Sequence, residues 1–136
     1  MLQQGILNPD LLHLLARIRH TNTLVIADWA FPFWPEIETV DLSLCRGIPL
    51  ITDVVDLLKD NFKAGRIWQA EEFLATNPQS TLELYRTSLD GFQSLYPAVE
   101  VNYLPHIDLK KMVPHAIGLV RTGDPTSYGN LILESA

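Results

Sequence analysis

The chain has 136 residues and a mass of 15.4 kDa, the size of one domain, and at that length about 68% of the unfolded surface is buried on folding. Ten Lys and Arg against sixteen Asp and Glu give a net charge of −6, with no run of like charges, which disfavours a protein that tracks nucleic-acid phosphates with a basic face. Hydrophobic residues at 47% and charged residues at 19% exclude a disordered chain, and the single Cys excludes an intrachain disulfide framework and a cysteine-based zinc site. No apolar run approaches the roughly 20 residues of a membrane-spanning helix, and Met1 to Leu7 lacks the features of a signal peptide, so a cytoplasmic location is expected.

Asn8-Pro9-Asp10 is a helix start: Asn8 caps, Pro9 presets φ, and Asp10 suits the positive end of the helix dipole. Leu11, Leu14, Leu15 and Ile18 follow at helical spacing and predict a helix from Pro9 to Arg19. Thr23 to Ala27 is a short apolar run without alternation, the pattern of a strand covered on both faces, and Asp28 closes it. Ala30 to Glu36 contains Pro32 and Pro35 with Phe31, Phe33 and Trp34, which predicts a loop carrying large apolar side chains. Ile37 to Leu44 predicts a short strand. Gly47 and Pro49 then mark a break before a helix built on Ile51, Val54, Val55 and Leu58.

Gly65 to Ala70 carries a weak strand signal, and Asn77-Pro78 repeats the first helix's start ahead of Leu82, Tyr85, Leu89 and Phe92, with an end near Tyr96-Pro97. Val99 to Tyr103 alternates as a strand, and Ile107 to Met112 predicts a short helix bounded by Pro105 and Pro114. Ala116 to Val120 is a further apolar strand, and the Gly123-Asp124-Pro125 turn leads to a last strand at Leu131 to Leu133. Helices alternate with strands along residues 1–136, with no repeat or linker. The expectation is therefore one α/β domain, a three-layer α/β/α arrangement with a mostly parallel sheet.

In open α/β sheets ligands bind beyond the carboxyl ends of the strands, which draws attention to Asp28, although an Asp there also serves as a loop cap. His20 lies ahead of the same strand. A strand of six to eight residues spans about 20 to 26 Å, so the two sit at opposite ends unless a second subunit or a bend brings them together. The histidines at 13, 20, 106 and 115 show no pair at metal-ligand spacing, and no metal site is expected. No Gly-rich phosphate loop and no G-x-S-x-G element is present. Tyr128-Gly129-Asn130 offers a phenol and an amide two positions apart, suited to sugar hydroxyls but also to a turn. Phe31, Phe33 and Trp34 suit either a sugar ring or a subunit contact.

Asn8-Pro9-Asp10-Leu11, Arg19-His20-Thr21 with Thr23 to Asp28, and Val120-Arg121-Thr122-Gly123 with Tyr128 to Leu133 together resemble the D-ribose pyranase and L-fucose mutarotase family over nearly the full chain. The resemblance implies cofactor-free interconversion of sugar ring forms or anomers on a three-layer α/β/α fold. Position by position, it implies a general acid/base role for His20 with Asp28 as its companion, and sugar contacts from Asp28, His106, Tyr128, Gly129 and Asn130. It also implies a ring-shaped homo-oligomer, a decamer, in which a neighbouring subunit completes the pocket, with a monosaccharide as partner and neither nucleic acid nor membrane. Trp29 departs from the family, where a small residue is usual, and is expected to narrow the pocket or alter the preferred sugar; a non-catalytic sugar-binding or assembly protein is the alternative it supports. The chain also ends at Ala136, a few residues short of the family's usual tail. His106, Val40 to Leu44 and Gly47-Ile48-Pro49 resemble the pyranase branch, and Phe31-Pro32 the fucose branch, so ribose is the favoured substrate.

Overall fold

In the computed structural model, which describes residues 1–136, Thr23–Ala27 forms β1. Leu24, Val25, Ile26 and Ala27 are all fully buried, as an apolar run without alternation requires. Leu24 and Ile26 face one apolar cluster, and Val25 and Ala27 face another on the opposite side of the sheet. The other strands are β2 (Glu38–Asp41), β3 (Ala64–Ala70), β4 (Glu100–Leu104), β5 (Gly118–Arg121) and β6 (Leu131–Ser135), in the order β2-β5-β1-β6-β3-β4. β5 pairs in parallel with β1 and β2, and β3 with β4, whereas β6 runs antiparallel between β1 and β3. The sheet is thus mostly parallel, and β6 is its one reversed strand.

The helices are α1 (Pro9–Arg17), α2 (Ile51–Leu58), α3 (Glu71–Thr76), α4 (Gln79–Leu95) and α5 (His106–Met112), which runs on into a 3₁₀ turn at Val113–His115. Leu11 and Leu14 of α1, Val54, Val55 and Leu58 of α2, and Tyr85, Leu89 and Phe92 of α4 pack with Leu24, Ile26, Leu131 and Leu133. On the opposite face, Leu109, Val113 and Phe31 pack with Val25, Ala27, Leu119 and Ile132. These are the three expected layers. No helix is long and apolar enough to cross a membrane.

The α1 start forms as its residues dictate: Asn8 Oδ1 accepts the Leu11 N–H at 2.8 Å, and Pro9 opens the helix. α1 ends at Arg17, short of the expected Arg19, because Ile18 has turned to extended backbone; Arg19 folds back and donates to the Ala16 and Ile18 carbonyls. The predicted strand at 37–44 is confined to Glu38–Asp41, and that at 116–120 is shifted to Gly118–Arg121. The weak candidate at 65–70 is a seven-residue strand paired on both sides. α3 has no counterpart in the sequence expectation. It also changes the role of Asn77, which closes α3 and does not cap α4, whose cap position is taken by Pro78.

Candidate active site

A cleft of about 300 Å³ opens beyond the carboxyl end of β1 and is lined by Asp28, Phe31, His106, Lys110, Tyr128 and Asn130 together with Ala30, Pro32 and Ser127. Asp28 comes directly after β1. Asn130 directly precedes β6, and because β6 runs against β1, with Ile26 opposite Leu131, it arrives at the same end of the sheet. The two side chains pair: Asn130 Oδ1 accepts the Asp28 backbone N–H at 2.8 Å, and Asn130 Nδ2 donates to Asp28 Oδ2 at 2.8 Å. The other carboxylate oxygen accepts the Ala30 N–H at 2.9 Å. Asp28 therefore does cap its loop, but as a group aimed into a cleft and fixed at both oxygens. Burial pushes its carboxyl up from the ordinary value, and the bonds from Asn130, Ala30 and Phe31 offset only part of that shift.

His106, the first residue of α5, forms the opposite wall. The edges of its ring meet Tyr128, with centroids 5.0 Å apart, and Phe31 at 6.5 Å. Its Nδ1 is buried with no hydrogen-bond partner in the chain. Its backbone N–H donates to both oxygens of Glu72, at 2.9 and 3.1 Å. Burial, with Lys110 adding to it, lowers the imidazole from its ordinary value, while Glu72 and Asp28 pull the other way. Tyr128 sits at φ +57°, a left-handed conformation uncommon for a side-chain-bearing residue, at the tip of the loop that closes this wall. Lys110 carries no signal in the linear sequence. Four positions after His106 on α5, it lies one turn along the same helix face.

Behind the cleft lies Asp124, 1% exposed. Its Oδ2 accepts the Ile51 N–H at the start of α2 (2.9 Å) and the Tyr85 hydroxyl (3.0 Å), and its Oδ1 accepts the Thr126 N–H (2.8 Å). What the linear pattern presents as a turn residue is a buried hub joining α2, α4 and the Tyr128 loop. Burial and the neighbouring Asp124 charge hold the Tyr85 phenol far up, so it stays a donor. Gly129 is not among the residues that line the cleft. A Cβ there would stand 2.4 Å from the Tyr85 hydroxyl, so Gly129 is required for close approach at this hub.

His20 is elsewhere. It lines a separate hollow of about 330 Å³ with Arg19, Asn61, Lys63 and Ser135, at the amino end of β1. His13 and His115 are exposed and lie outside the cleft. Of the loop aromatics, Phe31 is buried and lines the cleft, Trp34 packs beside it with ring centroids 6.3 Å apart, and Phe33 is 72% exposed. Trp29 does not narrow the cleft of its own chain: it is not among the lining residues, and the Arg46 guanidinium lies 5.3 Å from its ring centroid.

A carboxylate, an imidazole, a phenol and an ammonium thus surround a small space floored by Phe31, an arrangement suited to an uncharged molecule rich in hydroxyl groups. The model of the RbsD / FucU transport protein family matches residues 1–136. A D-ribose pyranase of Geobacillus kaustophilus is 38% identical over 135 residues, 99% of this chain and 93% of that protein. A D-ribose pyranase of Pseudothermotoga lettingae is 34% identical over 98% of this chain and 90% of its own. Among solved structures, Bacillus subtilis RbsD complexed with D-ribose superposes with a TM-score of 0.85 at 32% identity, covering 100% of this chain and 98% of that one. The fucose mutarotase of Streptococcus pneumoniae in complex with L-fucose shares the fold, with a TM-score of 0.77 at 21% identity and 95% and 92% coverage.

Proposed function

Because the chain belongs to the RbsD/FucU family, we propose that it is an isomerase that interconverts the ring forms of a monosaccharide, D-ribose before L-fucose, in the cleft between Asp28 and His106. One observation carries the reading. Asp28, His106, Tyr128 and Asn130, which lie as much as 102 positions apart along the chain, converge on a single cleft.

Ring opening breaks the bond between the anomeric carbon and the ring oxygen. The ring oxygen gains a proton, the anomeric hydroxyl loses one, and the carbonyl of the open chain forms; closing from another hydroxyl reverses both transfers. Two proton transfers are the whole demand, so no cofactor is needed, and an imidazole serves them near neutral pH. In this cleft His106, pushed towards its neutral form by burial and Lys110, contacts the sugar hydroxyls with Tyr128. Asp28, its carboxylate fixed by Asn130 and Ala30, accepts a hydroxyl hydrogen and aligns the reacting end. Asn130 has one N–H left over for the sugar, and Gly129 serves the site by admitting Tyr85.

His20 is the proton carrier and is supplied by a second copy of the chain. The five-residue strand β1, about 17 Å of extended chain, lies between it and Asp28, whereas a proton donor must be within about 3 Å of its acceptor. The protein is accordingly a homo-oligomer whose sites lie between copies, acting on free sugar in the cytoplasm. Trp29, turned to Arg46 and outside the lining of its own chain's cleft, does not support the non-catalytic alternative by obstruction there.

NMR exchange between ring forms of ribose, fucose and other free sugars, with and without the protein, tests the reading. Faster pyranose–furanose exchange of ribose is expected. Faster turnover of fucose than of ribose would reverse the substrate assignment, and no response from any sugar would leave the non-catalytic alternative.

A further inference from the structure

We propose that α3, through Glu72 and the Asn77 that closes it, is a bracket that holds the two halves of the wall facing Asp28, the start of α5 at His106 and the Tyr128 loop, in fixed register, which makes both side chains positioning residues. At one end, both Glu72 oxygens accept the backbone N–H of His106, at 2.9 and 3.1 Å. α5 needs this: its cap residue is Pro105, which has no side-chain acceptor, so the first N–H of the helix has no other partner. A carboxylate in that place also complements the helix dipole. At the other end, Asn77 Nδ2 donates to the Phe73 carbonyl of α3 (3.0 Å) and to the Ser127 carbonyl (2.8 Å). Ser127 immediately precedes Tyr128, so this bond fixes the Tyr128 half of the same wall.

The bracket is itself anchored. Between its two ends Phe73 is 2% exposed and packs on Tyr85, ring centroids 4.7 Å apart, and Tyr85 is tied to Asp124. The need for such a device follows from the His106 ring, whose Nδ1 has no partner in the chain and whose neighbours Phe31 and Tyr128 supply only ring-edge contacts. No hydrogen bond within the chain orients the imidazole, so its place depends on where its backbone is held. Glu72 and Asn77 do not line the cleft, and their removal leaves its chemical groups in place.

The inference rests on the cleft being the sugar site, and the test separates the two. Glu72→Ala, Glu72→Gln and Asn77→Ala are compared by ribose exchange kinetics and by NMR titration of the His106 imidazole in sugar-free protein. Four charged or titratable groups face that imidazole: Glu72 from α3, Asp28 after β1, Lys110 on α5 and Tyr128 on the loop. Displacing a wall by a fraction of an ångström weakens sugar contacts made alike in ground and transition states, so Glu72→Ala and Asn77→Ala are expected to raise KM about tenfold with kcat changed less than about threefold. Glu72→Gln keeps an oxygen for the His106 N–H, so its KM stays within about twofold of wild type. Because the negative charge favours the imidazolium, both Glu72 variants titrate His106 at lower pH than wild type, and Asn77→Ala leaves that titration unmoved. Wild-type KM in both alanine variants, or an unshifted His106 titration in Glu72→Ala, overturns the bracket. A wild-type protein inert towards every sugar overturns the function, while hydrogen exchange of the His106 backbone amide, expected to be faster in Glu72→Ala and unchanged in Glu72→Gln, still decides the bracket, and wild-type exchange in Glu72→Ala overturns it.

Discussion

Asp28 and Asn130 form a reciprocal pair in which each residue supplies what the other lacks: the carboxylate accepts, and the amide donates with its nitrogen while its oxygen takes the Asp28 backbone N–H. Replacing Asp28 by Asn puts a second amide where an acceptor is needed, so sugar exchange should fall about 10²-fold, the low end for loss of a positioned acid/base partner. The same variant isolates a pH effect. The folded carboxyl is raised above its ordinary 3.8, so between 3.8 and the folded value the native state binds the proton more readily than the unfolded chain. The stability this contributes is present at acid pH and is lost as pH rises through the folded pKa. The Tm of wild type minus that of Asp28→Asn should therefore grow as pH is lowered from 7 towards 4. A difference that shrinks over that range would mean the carboxyl is not raised.

Among the elements, Asp124 shows how far the fold and the site share parts. It supplies the acceptor that α2 lacks at Ile51, and it holds Tyr85 of α4 under Gly129. Asp124→Ala leaves three donors unpaired, at about 1–3 kcal/mol each. A loss of Tm above about 10 °C is expected, against about 3–5 °C for Tyr85→Phe, which removes one bond and leaves Asp124 its other two. Equal shifts in the two variants would show that the α2 start does not depend on the carboxylate. Elements whose residues agree with their neighbours were legible in the chain: β1 from its unbroken apolar run, α1 from Asn8-Pro9-Asp10, and α4 from Tyr85, Leu89 and Phe92. β3 was faint because Gly65, Arg66 and Gln69 dilute its apolar pattern, and its place between β6 and β4 overrides their low strand preference. α3 was not legible, because it follows β3 directly at Ala70 with no turn residue between. Asp28, Tyr128 and Asn130 were singled out by position and residue type, and the roles of all the site residues, with the choice of His106, came from the family resemblance. Their pairing depends on the reversed direction of β6, which no local signal carries, and no local signal carries the roles of Glu72 and Lys110 either.

For the whole molecule, the arrangement that matters is two hollows at opposite ends of β1, one holding Asp28 and the other His20. A site completed by joining two different patches, one from each copy, is a heterologous contact, and a heterologous contact repeated by rotation closes into a ring. Phe33 at 72% exposed and Ile107 at 64%, on the loop and helix beside the cleft, are apolar side chains that such a neighbour would cover. Light scattering should then report a mass several times 15.4 kDa. His20→Ala alone should lose about 10²- to 10⁴-fold in exchange rate while still binding ribose. The decisive measurement is a mixture. Co-expressed in equal amounts, His20→Ala and Asp28→Asn chains assemble at random, and about a quarter of the junctions join an intact His20 to an intact Asp28. Activity should therefore return to about a quarter of wild type in the mixture, although each variant alone is nearly inactive. If His20 instead served the cleft of its own chain, every chain in the mixture would carry one defect in its only site, and mixing would restore nothing.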